Sequence, residues 1–540
     1  MKRSKSKKMK YRYFSLPKVL VCCCITATLS ALSSCDSYLD ELPDNRTELT
    51  SEKKIQGLLT SAYLSNDPLY VAELMSDNMD SYGETNPNTS RFADQVYNWL
   101  DVTESDNQSP ERFWEDCYVR IATANKALEA IEEMGGATTE TLRACRGEAL
   151  LCRAYAHFML ANLFCLAYNQ QTSQTDLGIA YMLKSSETLD DNPPRGTVKE
   201  VYELIDKDIQ EALPLVTSNY SVPKYHFNQK AAYAFAARFY LYYEQWDKAI
   251  DYANRCLGSA PAAMLRDWAY MATMPQEYDA ITQHYIDASL NANLLLLTSY
   301  SYMGIVFGPY RYLSRYSHGK YLAEHEDGEA ENIWGSAPLY QEMSTYAATN
   351  LDKTIFWKLP YMFEYYDAVA GTGYYRTVYP AFTSDETLLN RAEAYVMTGQ
   401  YERAAADLTM WMHNFVQTDL VLSPEMIQEF YNAIDYSYSD DLGIESTLKK
   451  HLNPKFDIGE EGCMREAMLQ CVLGFRRIET LQTGQRWYDV KRYGIEIVRR
   501  VINALGVPER RTDVLRVDDP RRAVQIPLKP RAAGVVPNPR

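Results

Sequence analysis

AARFYLYYEQWDKAIDYANRCLGSAP occupies residues 236–261, and RAEAYVMTGQYERAAADLTMWMHNF occupies residues 391–415. The two lie over each other without gaps: Ala237, Tyr240, Gln245, Trp246 and Ala249 fall on Ala392, Tyr395, Gln400, Tyr401 and Ala404. A small residue, a tyrosine three on, an aromatic opening a second helix and an alanine three further is the tetratricopeptide helix–turn–helix pattern. Alanine at the crossing lets two antiparallel helices approach, and the tyrosine fills the gap beside it. Pro261 falls where such a repeat ends. The expected fold is mainly α, a tetratricopeptide-like helical-repeat scaffold.

Other amphipathic helices surround these repeats. Residues 110–134 and 141–165 flank Gly135-Gly136 and read as an earlier pair, and residues 198–216 precede the first repeat. The scaffold therefore spans 50–261, with an irregular loop near 76–109, and resumes over 385–540 as a helical repeat and a closing segment. Between them, residues 262–384 are rich in Tyr, Gly, Pro and Asn with weak periodicity. A long irregular excursion inside a compact repeat protein is usually functional.

The chain opens with eight positive charges and no acid in residues 1–18, followed by an apolar stretch of 14 residues from Val19 to Leu32. That is shorter than the roughly 20 residues a spanning helix needs, but it suits a signal-peptide core. It ends Leu32-Ser33-Ser34-Cys35, which resembles the bacterial lipobox, in which the cysteine is lipidated and becomes the first mature residue. The expected segments are a lipoprotein signal over 1–34 and a lipid-anchored stretch over 35–49. Asp36, Asp40 and Glu41 resemble the acidic export signal of Bacteroidota surface lipoproteins. Two or more acyl chains hold a protein at a membrane without any spanning helix.

Removing residues 1–34 takes the formal charge from −16 to −24. Such a chain repels nucleic acid, whose binding rests on neutralised phosphates. Seven cysteines remain after Cys35 (Cys117, Cys145, Cys152, Cys165, Cys256, Cys463, Cys471), an odd number without CxxC, and they read as buried free thiols. Tyrosine is abundant, 43 against 16 Phe, and its flat face plus hydroxyl suits half-wet surfaces. No GxxxxGK[ST], HExxH or GxSxG occurs. GTGYYR at 371–376 reads as a flexible tyrosine-bearing turn, and His318 and His325 as solvated loop histidines. The acidic run from His325 to Glu331 lacks the EF-hand order and reads as a solvated stretch. Neither a cofactor nor a metal is expected.

CDSYLDELP, FWEDCYVRIATANKAL, RGEALLCRAYAHFMLANLF, ETLLNRAEAYVMTGQYERA, GQRWYDVKRYG and QIPLKPRAAGVVPNP together resemble the SusD/RagB family of outer-membrane nutrient-binding lipoproteins. Within GQRWYDVKRYG, Trp487 and Tyr493 read as core aromatics tied by Arg486 and Asp489. The resemblance implies a SusD-like, non-enzymatic protein, lipid-anchored at Cys35 to the outer membrane and facing the exterior. It implies capture of glycans and delivery to a SusC-like TonB-dependent transporter. The alternatives are a peptide-binding nutrient-uptake lipoprotein, a repeat scaffold for protein partners, and a surface glycosidase with a carboxylate pair. Sugar rings present flat C–H faces that stack on Tyr or Trp. The resemblance places the ligand on loops of the early and middle chain, which implies Tyr82, Arg91, Asn98 and Trp99 in the early loop, then Tyr300, Tyr302, Tyr310, Tyr312, Tyr316 and Trp334. The alternation at 300/302 and 310/312 also suits strands with one buried face.

Overall fold

The computed structural model describes residues 49–185 and 194–540; the signal segment, Cys35 and the acids after it lie outside the described residues. Helix α1 (Pro110–Glu133) starts at Ser109, whose hydroxyl accepts from the Arg112 N–H, with Pro110 in the first turn. Thr139 caps α2 (Glu140–Phe164), and a Thr197/Glu200 capping box opens α3 (Val198–Ala212). The quoted repeats become α4 (Gln229–Tyr242) with α5 (Trp246–Leu257), and α6 (Ser384–Met397) with α7 (Tyr401–Phe415). Ala237, Ala249, Ala392 and Ala404 are fully buried at these crossings, as the pattern requires.

Consecutive helices stack: α1 on α2, α2 on α3, α4 on α5, α5 on α6 and α6 on α7. The α5–α6 contact joins the helix before the 262–384 excursion to the helix after it. The excursion thus leaves and re-enters one stack that runs α4, α5, α6, α7. It is less irregular than expected, since it carries six strands of the described chain. Strands β2 (Asn293–Tyr300), β6 (Met362–Asp367) and β7 (Thr372–Thr383) form an antiparallel sheet in the order β2-β7-β6. Strands β4 (Ser344–Ala348) and β5 (Leu351–Ile355) form a hairpin. The remaining sheet runs β3-β1-β8-β9, with β1 (Asp80–Ser81), β3 (Tyr316–Ser317), β8 (Ile497–Ile502) and β9 (Pro508–Leu515). It ties the early loop to the C-terminal segment.

Helices α8 (Met464–Glu479) and α9 (Arg486–Arg492) close the core, α8 packing on α6. Trp487 and Tyr493 are fully buried. Arg486 makes two 2.8 Å bonds to the Asp77 carboxylate, and Asp489 accepts from Arg476 at 2.9 and 3.1 Å. Gly484 has φ +76°, and a Cβ there would lie 2.7 Å from the Leu69 carbonyl oxygen, so only glycine fits this turn. The seven downstream cysteines are free, six of them buried and Cys463 half-buried. Burial pushes the thiols of Cys145 and Cys256 up to about 12.

Two expectations are corrected. The acidic run after His325 is not simply solvated, because Glu326 and Asp327 are 2% and 1% exposed. Nor is His318 a solvated loop residue: it is buried, with Nε2 3.0 Å from an Asp327 carboxylate oxygen and Nδ1 3.0 Å from the Asn78 carbonyl oxygen. Burial disfavours the charged ring, but Asp327 outweighs that and raises its pKa. Among the described residues no group of His, Cys, Asp and Glu is placed to hold a metal ion, and no helix is long and apolar enough to cross a membrane.

Candidate functional site

The β6–β7 hairpin carries aromatic residues on both faces, and the pairing register assigns them. Phe363 pairs with Tyr375 and Tyr365 with Gly373 on one face, while Met362 pairs with Arg376 and Glu364 with Tyr374 on the other. Side chains two apart share a face, and the ring contacts agree. Phe363 touches Tyr365 and Tyr375 at 4.8 and 5.3 Å between centroids. From Tyr375 the network continues to Tyr302 and Tyr312, both at 5.4 Å, and to Tyr361 at 5.9 Å, which leads on to Tyr310 at 5.5 Å. Seven rings therefore form one continuous half-wet surface. Tyr365 at 60% and Tyr310 at 37% are its most exposed members.

The backbone under this surface is fixed at several points. The carboxamide of buried Gln108 donates to the Tyr300 carbonyl oxygen and accepts from the Tyr302 N–H, both at 2.9 Å. The Ser301 N–H donates to the Tyr375 carbonyl oxygen. The Tyr278 hydroxyl lies 2.7 Å from the carbonyl oxygens of Gly304 and Leu359, joining the loop to the segment before β6. Polar groups border the rings. Burial raises the Asp106 carboxyl, one of whose oxygens is 3.4 Å from the Tyr302 hydroxyl. Arg311, between Tyr310 and Tyr312 in the chain, is exposed. On the opposite face, the Arg376 guanidinium sits 4.6 Å over the Tyr300 ring, and Tyr374 bridges Tyr300 and Tyr366.

Lys353 supports the Tyr310 end. Its ammonium donates to the Tyr310 carbonyl oxygen at 2.9 Å and is almost wholly buried. Burial alone pulls its pKa down to about 7 from an ordinary 10.5. Between those values the unfolded chain binds the extra proton, so this residue makes stability rise with pH from about 7 toward 10. Lys353→Met is expected to remove that rise. Urea unfolding at pH 6.5 and 9.5 checks it, as the difference between wild type and variant.

Of the sequence candidates, Tyr302, Tyr310 and Tyr312 belong to the seven-ring surface, and Tyr300 lies on the opposite face against Tyr374 and Arg376. Their alternation does not reflect a strand, since β2 ends at Tyr300 and Tyr302 opens the short helix Met303–Val306. Four others are corrected because they lie in the interior with no face open to a ligand. Trp99 is 2% exposed, its indole N–H donating to the Met75 carbonyl oxygen and its ring 4.2 Å from the Arg499 guanidinium. Tyr82 donates to the Asp352 carbonyl oxygen and packs with Tyr321, Leu351 and Ile502. Tyr316 stacks on Tyr97 at 4.0 Å and donates to Asp94. Trp334 is buried against Phe475. Arg91 is exposed with Nε 3.7 Å from Glu104, and Asn98 donates to the Asp94 carbonyl oxygen. Neither touches the aromatic network.

Trp99→Ala is accordingly expected to destabilise the fold by about 3–5 kcal/mol, the usual range for a buried tryptophan. Denaturant unfolding measures it. The residues missed by sequence, Tyr361, Phe363, Tyr365, Tyr366, Tyr374 and Tyr375, carried a signal: two aromatic runs of strand character around AVAGTG at 368–373.

Residues 37–241 match the family profile described as starch-binding associating with outer membrane. A SusD-like protein of Formosa agariphila is 28% identical over 241 residues, 42% of this chain and 42% of that one. The match therefore spans less than half the length of the curated relative. A SusD superfamily protein from Bacteroides thetaiotaomicron superposes with a TM-score of 0.61 at 18% identity, over 91% of this chain and 100% of that one.

The fold is SusD-like. A SusD-like carbohydrate binding protein from Bacteroides vulgatus adds a TM-score of 0.54 at 16% identity, over 84% and 85% of the two chains. These likenesses extend the SusD-like fold across the C-terminal half, beyond the region matched in sequence, and the hairpin surface lies in that half.

Proposed function

We propose that this SusD-like protein binds a glycan chain at the outer surface of the outer membrane and passes it to a TonB-dependent transporter, without cleaving it. The observation that carries the reading is the continuous ring surface of Tyr302, Tyr310, Tyr312, Tyr361, Phe363, Tyr365 and Tyr375. It is open rather than enclosed, so a polymer can lie across it, and its backbone is held rigid beforehand, which limits the ordering that binding requires. Asp106, beside the Tyr302 hydroxyl, stands at the edge to accept from a ligand hydroxyl. The family description and the carbohydrate-binding relative support the ligand class. Lipidation at Cys35 is the anchor in this reading.

Retardation of the full chain in native gels containing neutral and acidic polysaccharides tests it. Slowing by a glycan, reduced in Tyr365→Ala and Tyr312→Ala, is the expected result. Unchanged mobility in every polysaccharide would reject it in favour of a peptide or protein ligand.

A further inference from the structure

Away from the hairpin, one face of the β8–β9 pair and residues 437–453 border a cleft of about 400 Å³. The strand register shows which side chains face it. Arg500 pairs with Arg511 and Val498 with Val514, and partners opposite each other share a face. That face looks toward residues 437–453, because the Arg500 guanidinium donates to the Ile444 carbonyl oxygen and the Ser446 hydroxyl, both at 2.9 Å. On it Arg511 is exposed, and Val498 and Val514 are half-buried.

The opposite wall is held by its own hydrogen bonds. Ser437 N–H donates to the Lys449 carbonyl oxygen and Tyr438 N–H to that of Glu445, while Thr447 N–H donates to the Ser437 hydroxyl. Tyr438 is kept at φ +63°, a costly conformation for a bulky side chain. Its ring centroid lies 4.8 Å from the Lys450 ammonium. Both walls are therefore in place before any ligand arrives.

The charges of the lining select the ligand. They are Lys450, His451, Glu496, Arg511 and Arg516. Arg516 and Glu496 pair with each other at 3.0 Å, His451 with Glu461 at 2.7 Å, and Lys450 with Glu326 at 2.6 Å. Burial pulls the Lys450 pKa down to about 8 against the attraction of Glu326, so its charge persists at pH 7. Of the five, Arg511 has no acid or hydrogen-bond partner among the described residues. Nearby charges stay out of the lining. Asp440, Asp441, Glu445 and Glu509 are exposed to solvent, Asp518 pairs with Lys455, and Arg510 and Asp513 pair with Val501 and Arg499 on the other face. Lys450, Arg511 and Arg516 thus outweigh Glu496, and the uncommitted group is a guanidinium, whose fork suits a carboxylate or a sulfate. Val498 and Val514 beside it offer an apolar floor for a C–H face. Asn453 at the cleft has a carboxamide free for hydroxyls among the described residues. The volume lies within the roughly 300–1,000 Å³ of small-molecule pockets.

We propose that this cleft is a second binding site that takes one acidic sugar residue, its carboxylate or sulfate on Arg511 and its ring over Val498 and Val514. The preference for an anion stands on the cleft alone; that a sugar carries the anion rests on the glycan-binding reading above. The test uses the full chain in a sugar-free detergent, with the methyl glycosides of glucuronate and galacturonate and with glucose 6-sulfate. Methyl glucoside, glucosamine and propionate stand beside them, and calorimetry and saturation-transfer NMR read binding. At least one acidic sugar binds, at least tenfold more tightly than the other three compounds. Binding by the uronosides alone assigns the carboxylate, and by the 6-sulfate alone the sulfate ester. Arg511→Gln weakens binding at least tenfold, Arg511→Lys less, and Tyr365→Ala leaves it unchanged. As a surface substitution, Arg511→Gln melts with wild type. Three results would each overturn the proposal: no acidic sugar bound, methyl glucoside, glucosamine or propionate bound as tightly, or binding kept in Arg511→Gln. The two sites fail separately. If no polysaccharide retards the chain while an acidic sugar still binds through Arg511, the hairpin reading falls and the cleft stands; the reverse pattern removes the cleft alone.

Discussion

Glu326→Gln is expected to destabilise the fold by about 3–5 kcal/mol, the cost of removing one partner from a buried ion pair. Here one carboxylate serves three cations: Arg477 at 2.5 Å, Lys450 at 2.6 Å and Arg500 at 3.1 Å. Arg477 also reaches Asn78, and Arg500 also binds Asp80 at 2.9 Å. The early loop, the 326 segment, α8 and β8 thus meet at one charged node inside the protein. Burial alone would raise the Glu326 carboxyl, but Lys450, Arg477 and Arg500 hold it well below its ordinary 4.5. Its contribution is therefore complete above pH 4.5 and is lost as pH falls below that value through the native pKa. The variant should lack this acid-sensitive limb. Exposed Glu331→Gln, a few residues on, should change stability by less than about 0.5 kcal/mol. Urea unfolding of both, repeated at pH 7 and pH 4, compares them directly.

Tyr365→Ala together with Tyr312→Ala is expected to weaken glycan binding at least tenfold, equivalent to about 1.4 kcal/mol. Tyr365 is 60% exposed and among the described residues its one ring contact is with Phe363, so its loss removes contact surface and little packing. Tyr312 braces Tyr302 and Tyr375 at the middle of the surface, so its loss also loosens their rings. A few central, rigid aromatics usually carry most of a binding energy. Thermal melting should stay close to wild type for Tyr365→Ala, separating this effect from that of Trp99→Ala.

The repeat helices were legible because their signal is local: alanine and tyrosine at fixed spacing report on helices adjacent in the chain. The tyrosine-rich excursion was legible by composition, and three of its candidate rings, Tyr302, Tyr310 and Tyr312, do share one surface. Trp99 was not legible. What buries it is Arg499 on β8, whose guanidinium also donates to the carbonyl oxygens of Leu74, Met75, Ser76 and Tyr97. A partner four hundred positions away leaves no trace in the sequence around a tryptophan. Glu326 failed for the same reason: His325 to Glu331 is hydrophilic by composition, and only the fold brings Arg477, Arg500 and Lys450 to its first acid. The hairpin was missed differently, because GTGYYR was read for its glycines instead of for the aromatic runs on either side.

Hydrogen exchange on the full chain, with and without a polysaccharide that retards it, tests the central claim most directly. The account predicts slowed exchange confined to residues 300–312 and 361–376. Protection that spares both segments and falls on residues 82–99 or 334 would contradict it.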